Sequence, residues 1–198
     1  MYKEKEAIGL LFGSFNPLHN AHIAIADYFI KNNYVDEVWF VISPQSPFKQ
    51  HFTTNDSSNR NQEYFISEDK RLELLNKSLE KHSEFKVCDI EFSMPRPSYT
   101  IDTLKRLSEE YPDKEFILII GSDLLKDFKL WKDWQEILNN YQVYVYPRDY
   151  NDSKYILSEM KFFGSAPLID ISSSQIREKI DEGENVDKMI PDEIRKMI

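Results

Sequence analysis

The chain has 198 residues, 41% hydrophobic and 14% aromatic, which is enough apolar material for a substantial core and excludes a disordered chain. Its formal net charge of −9 excludes a surface that gathers nucleic acid in bulk, so a polyanion site has to be a local cluster of Lys, Arg, His and backbone N–H groups. No apolar run approaches the roughly 18 residues that span a bilayer, which leaves no membrane partner, and the single cysteine, Cys88, excludes an internal disulfide framework and fits a reducing cytoplasm.

Residues 7–13, AIGLLFG, are a short apolar run that ends in a glycine turn and read as a strand rather than as part of a signal peptide. Residues 20–31 carry Ile23, Ala26, Tyr28 and Ile30 at helical spacing, and EVWFVIS over 37–43 is a second buried strand. Residues 44–67 are polar and irregular, the length and composition of a functional or mobile loop. Leu72, Leu75 and Leu79 predict a helix over 68–81, with Arg71 on its solvated surface. FKVCDIEF over 85–92 reads as a strand, and residues 99–111, with Ile101, Leu104 and Leu107, as a helix. EFILIIG over 115–121 is the clearest buried strand, followed by a helix over 131–139 and a strand over 141–147. Serines open a helical pattern over 172–180, and Pro191 opens a last short helix.

This alternation predicts an α/β fold, a doubly wound parallel sheet of Rossmann-like type, in one domain over residues 1–198. Ligands of such sheets sit beyond the carboxyl ends of the strands. After the first strand comes Gly13-Ser14-Phe15-Asn16-Pro17-Leu18-His19-Asn20-Ala21-His22. Gly13 lets the backbone turn close to a ligand and Pro17 stiffens the loop. His19 and His22 are three apart and share one face of a helix start, whose N–H groups favour an anion. Two imidazoles at a helix N-terminus suit a phosphate undergoing substitution. A His-x-x-His pair also suits a metal, but no third ligand stands at helical spacing. The Gly-x-x-x-x-Gly-Lys-Ser/Thr and Gly-x-Gly-x-x-Gly loops are both absent. At the other end of the chain, Ile171-Ser172-Ser173-Ser174-Gln175-Ile176-Arg177 puts capping hydroxyls and an arginine on one helix start, either a plain cap or a cradle for phosphates.

These two stretches resemble the His-x-Gly-His and Ile-Ser-Ser-Thr-x-x-Arg signatures of the nucleotidylyltransferase superfamily. Within it the chain is similar to the bacterial nicotinate-nucleotide adenylyltransferases. Ser98-Tyr99-Thr100-Ile101-Asp102-Thr103-Leu104, Gly121-Ser122-Asp123 followed by Trp131 and Trp134, and Pro47-Phe48-Lys49 stand where that family has its corresponding segments. Three residues depart from the pattern: Ala21 replaces a glycine, Ser174 a threonine and Phe48 a histidine, and no catalytic role falls on Phe48. Phosphopantetheine adenylyltransferase, which shares both phosphate signatures, and a non-catalytic nucleotide-binding module on the same fold are the competing readings.

The resemblance implies adenylyl transfer from ATP, with Mg²⁺, to nicotinate mononucleotide, giving deamido-NAD and pyrophosphate. It places His19 and His22 at the α-phosphate, Lys49 over the phosphates, and Ser173, Ser174 and Arg177 at the β- and γ-phosphates. Gly13, Ser14, Phe15, Gly121, Asp123 and Ile171 complete the ATP site, with Asp123 at the ribose. Ser14, Lys49, Tyr99, Thr100 and Trp131 meet the mononucleotide, Trp131 by stacking on the pyridine ring, while Trp134 belongs to the core. No protein residue is expected to hold the metal, and a homo-oligomer is compatible with the sequence.

Overall fold

A computed structural model describes residues 5–44 and 66–196. Pro47, Phe48 and Lys49 lie outside the described residues. The strands are β1 (Glu6–Gly13), β2 (Glu37–Ile42), β3 (Phe85–Cys88), β4 (Lys114–Gly121), β5 (Gln142–Tyr146) and β6 (Met160–Phe162). The helices are α1 (Asn20–Lys31), α2 (Glu68–Leu79), α3 (Thr100–Glu110), α4 (Trp134–Asn140), α5 (Ser173–Asp181) and α6 (Asp192–Arg195). All six strands pair in parallel in the order β3-β2-β1-β4-β5-β6, so the order reverses between β1 and β4. That reversal is the doubly wound topology expected from the sequence, and it opens a crevice beyond Gly13 and Gly121.

Period-2 alternation in the central strands sorts the apolar side chains to two faces. From β4, Ile117 and Ile119 join Phe29 of α1, Leu75 of α2 and Ile176 of α5 on one face. Phe116, Leu118 and Ile120 join Leu104 and Leu107 of α3 and Ile137 of α4 on the other. Because helices follow parallel strands, the N-termini of α1, α3 and α5 all return to the carboxyl edge of the sheet.

Three boundaries differ from the sequence reading. The strand expected over 85–92 stops at Cys88, because the chain turns into a 3-10 helix over Ile90–Ser93 that carries Glu91 inward to 2% exposure. Ser98 Oγ donates to that carboxylate at 2.6 Å and Thr103 Oγ1 at 2.8 Å. The helix expected over 131–139 starts three residues later, since Ser122–Leu130 is a 3-10 helix and Asp133, at φ 48°, interrupts the path with a left-handed residue. The short edge strand β6 carries no alternation long enough to read in sequence.

A larger correction concerns Arg71, expected at the surface and found 5% exposed. Its Nη1 donates to the carbonyls of Ser14 at 2.6 Å and Ser43 at 3.0 Å, and its Nη2 to that of Pro44 at 3.1 Å. Glu68, which leads α2 toward this region, pairs instead with Arg96. One guanidinium therefore ties α2 to the carboxyl ends of β1 and β2. Replacing it as Arg71→Met leaves three carbonyls without their charged donor, and we expect a loss of at least about 2 kcal/mol in chemical denaturation. A loss below about 0.5 kcal/mol, the range of an ordinary surface substitution, would show that water replaces the arginine.

Candidate active site

The loop from β1 to α1 forms the floor of the crevice. Gly13 ends the strand, and a Cβ there would lie 3.0 Å from the Phe15 ring. Phe15 sits at φ 44°, a left-handed conformation that a bulky residue keeps only when its surroundings hold it. Its ring supplies that hold: it is 3% exposed and packs edge-on to His22, with centroids 5.1 Å apart. The ring is thus committed to the core.

His19 precedes α1 and His22 lies in its first turn. Their rings stack with centroids 3.6 Å apart and planes 22° apart. The backbone N–H of His19 donates to His22 Nδ1 at 3.3 Å, which puts the proton of a neutral His22 on Nε2. His19 Nδ1 and Asn16 Oδ1 are buried without a hydrogen-bond partner among the described residues. Such groups are costly to bury unmatched. Burial, with Arg148 as the second cause, lowers the His19 pKa to about 3. Burial, followed by His19 and Arg148, also holds His22 well below the usual imidazole range. Both imidazoles are neutral at pH 7.

The start of α5 closes the floor from the other side. Ser172 caps the helix by accepting from Gln175 N–H, while the Gln175 side chain accepts from Ser172 N–H at 2.8 Å. Capping thus falls to Ser172 and Gln175, and Ser173 and Ser174 are used elsewhere. Ser173 Oγ donates to the Pro17 carbonyl at 3.1 Å. Arg177 Nη1 donates to the Asn16 carbonyl at 2.8 Å and its Nη2 to Ser174 Oγ at 3.1 Å. The two stretches singled out near opposite ends of the sequence therefore meet directly.

Beyond β4, Gly121 is required for space: a Cβ there would overlap Asp123 Oδ1 and lie 3.1 Å from Arg148 Cγ. Asp123 itself is exposed in the first turn of the 3-10 helix over Ser122–Leu130. Arg148, which the sequence reading passed over because a lone arginine after a strand belongs to no motif, donates from Nη2 to the Ile171 carbonyl at 2.7 Å. A third group forms at the start of α3. No side chain caps this helix at Tyr99, and Asp102 of its first turn pairs with Lys132 at 2.7 Å. Lys132 Nζ also lies 5.1 Å from the centre of the Tyr99 ring, which puts Tyr99, Thr100 and Trp131 in one neighbourhood. Trp131 is half-buried against Phe128, and Trp134 packs on the same apolar face of the sheet as expected. Glu91 was also missed: the serine and the last threonine of the Ser98–Thr103 stretch both converge on it, which fixes the helix start from below.

Metal ligation at the histidines gains no support from this geometry, since no carboxylate joins them among the described residues. The metal-like grouping that does occur among those residues, Asp27 with His82 and Glu84, lies where α1 ends and β3 begins, at the opposite edge of the sheet. In the unfolded chain His19 takes a proton near pH 6.5, but in the fold not until about pH 3. Stability is therefore full above pH 6.5 and falls as the pH drops below it, by about 1.4 kcal/mol per pH unit for this residue. Thermal or urea unfolding between pH 7.5 and 5 should show this slope, and His19→Gln should reduce it.

The cytidylyltransferase-like family model matches residues 10–179. A probable nicotinate-nucleotide adenylyltransferase of Flavobacterium psychrophilum is 38% identical over 194 residues, covering 96% of this chain and 95% of that protein. One of Azobacteroides pseudotrichonymphae is 41% identical, covering 93% and 92%. Among solved structures, Plasmodium falciparum nicotinic acid mononucleotide adenylyltransferase complexed with NaAD superposes with a TM-score of 0.71 at 20% identity, covering 93% of this chain and 90% of that one, a likeness of fold. The chain belongs to the cytidylyltransferase-like family, among its nicotinate-nucleotide adenylyltransferases, and is a nucleotidyltransferase.

Proposed function

We propose that the chain transfers the adenylyl group of magnesium-ATP to nicotinate mononucleotide. A 5′-phosphate oxygen of the mononucleotide attacks the α-phosphorus. The bond from that phosphorus to the α,β-bridging oxygen breaks, and pyrophosphate leaves with the bonding electrons. The observation that carries the reading is the neutral, stacked His19–His22 pair on the floor that Arg177 and Ser173 pin in place. The names of the relatives support the choice of acceptor.

Such a reaction needs no protein nucleophile, only positioning and stabilisation of charge on phosphoryl oxygens. His22 offers its Nε2–H, and the His19 imidazole stacked on it lies beside it, for the α-phosphate. Ser174 and Arg177 hold the departing phosphates, and Asp123 takes the ribose hydroxyls beside Gly121. Ser14, Phe15 and Ile171 contribute backbone. Lys49 is assigned to the phosphates on the sequence alone. Among the described residues neither Arg148 nor Arg177 pairs with a carboxylate and Asp123 is assigned to the ribose, so Mg²⁺ would enter with ATP as part of the substrate.

The uncapped start of α3 favours a carboxylate on the acceptor. The N–H groups of Thr100 and Ile101 have no intrahelical acceptor, and Tyr99 places no side chain over them. An amide NH₂ facing these donors would leave them unpaired at about 1–3 kcal/mol, whereas a carboxylate accepts from them. Trp131 stacks on the pyridine ring.

The test is kcat/KM at saturating magnesium-ATP for three acceptors. Nicotinate mononucleotide should exceed nicotinamide mononucleotide by at least about tenfold, with no adenylylation of phosphopantetheine. Equal rates for acid and amide would remove the role given to Tyr99 and Thr100, and turnover of phosphopantetheine alone would overturn the proposal. His19→Ala should lower kcat by at least about 10²-fold while the protein stays folded at pH 7.5, and near-normal turnover would sink the phosphate assignment.

A further inference from the structure

Charge pairing in this molecule leaves one arginine conspicuous. The chain holds 34 acidic residues against 25 Lys and Arg, so a basic side chain meets a carboxylate easily. Arg96, Arg106 and Arg195 each do so. Among the described residues Arg71, Arg148 and Arg177 have no carboxylate within ion-pair distance. Arg71 spends its donors on three carbonyls. Arg177 gives one nitrogen to the Asn16 carbonyl and another to Ser174.

Arg148 differs from both. A guanidinium carries five N–H donors, and among the described residues only its Nη2 has an acceptor, the Ile171 carbonyl at 2.7 Å. Its backbone is nonetheless well fixed: Arg148 N–H donates to Ser122 Oγ at 2.8 Å, and that serine is 1% exposed. The stem lies over Gly121, where any Cβ would stand 3.1 Å from Arg148 Cγ. The head is therefore held between the end of β4 and the segment before α5, with no acceptor at Nε or Nη1 among the described residues. A guanidinium fixed at the carboxyl edge of the sheet, with no carboxylate partner among the described residues and donors to spare, suits an anionic ligand.

We propose that Arg148 is a phosphate-binding residue of this site, contacting through Nε and Nη1 the same phosphoryl group that His19 and His22 contact. This rests on the adenylyl-transfer reading for the identity of the anion. On it, the α-phosphate has imidazole donors on one side and a guanidinium on the other, while Arg177 serves the departing pyrophosphate. A guanidinium is suited to this place because it presents parallel N–H groups to two phosphate oxygens and stays charged at every working pH. Its field also bears on the histidines. Arg148 is the guanidinium that opposes their protonation, Arg177 reaches the Asn16 carbonyl of the same loop from α5, and Asp123 stands across Gly121.

The experiment is ATP binding without any acceptor, by calorimetry, for the wild-type protein, Arg148→Gln and Arg148→Lys, followed by kcat/KM for ATP. Glutamine keeps the stem and a polar amide over Gly121 but carries no charge. We expect Arg148→Gln to weaken ATP binding and to lower kcat/KM for ATP by a similar factor, at least about tenfold, with lysine intermediate. The His19 imidazole, followed by NMR, should also titrate at higher pH in Arg148→Gln, because a neighbouring cation has gone. ATP affinity within twofold of wild type together with an unmoved His19 titration would overturn the proposal and leave Arg148 a backbone tie. Should glutamine not fold, the wild-type Arg148 Nε–H resonance decides: inorganic triphosphate must shift it, and an unshifted resonance at saturation refutes the contact. The binding arm contains no mononucleotide. Loss of ATP affinity in a protein that fails to adenylylate nicotinate mononucleotide would therefore sink the acceptor reading alone. Normal affinity in one that succeeds would sink this inference alone.

Discussion

The floor of the site depends on where the carbonyl groups of residues 14, 16 and 17 are held. Arg71 takes the carbonyl of Ser14, Arg177 that of Asn16, and Ser173 that of Pro17. These donors come from α2 and α5, far apart in sequence, and converge on one loop. An anion is repelled by carbonyl oxygens and attracted by N–H groups, so tying the acceptors to protein donors frees the loop's donor character for a ligand. The left-handed Phe15 belongs to the same constraint. It turns the backbone between Ser14 and Asn16, and its buried ring, wedged against His22 and Phe40, keeps the turn from relaxing. Neither arginine has a carboxylate partner among the described residues, and each would be hard to accommodate in the unligated protein without these carbonyls.

The same economy explains the start of α3. Glu91 is a fully buried carboxylate whose acceptor capacity is met by two hydroxyls, Ser98 and Thr103, that flank Tyr99 and Thr100. Its bonds run on either side of the helix start, so the first N–H groups are positioned without being used. A side-chain cap at Tyr99 would have filled the donors that the acceptor carboxylate is proposed to take.

Much of this was legible in the sequence. Alternating apolar runs gave the parallel sheet, and glycines at positions 13 and 121 marked the strand ends that face the crevice. His19, His22, Ser173 and Arg177 were legible because their spacing is local to a helix start. The residues that escaped act over long separations. Arg71 reads as a helix-surface residue because helical periodicity reports which face it occupies, not that the ends of β1 and β2 bring three carbonyls there. Glu91 reads as part of a strand because FKVCDIEF alternates well enough, and only the pair of hydroxyls seven and twelve residues later explains the turn inward. Arg148 stands alone in sequence and acquires meaning from Gly121, Ser122 and Ile171, none of them local.

The division of labour between imidazole and guanidinium follows from what a transferase must release as well as bind. On the proposed reaction, pyrophosphate has to leave a site that has just stabilised a transition state in which negative charge is redistributed over the phosphoryl oxygens. Fixed charge binds substrate, transition state and product together, which tightens binding without accelerating the step. Neutral imidazoles behave differently. Burial keeps His19 and His22 uncharged in the free protein, so they contribute hydrogen bonds at first and gain favourable interaction as negative charge builds on the phosphoryl oxygens nearby. The arginines supply the constant part of the attraction in an otherwise acidic protein, and the histidines supply the part that grows along the reaction coordinate. A site built from four permanent cations would hold its product more firmly and gain less in rate.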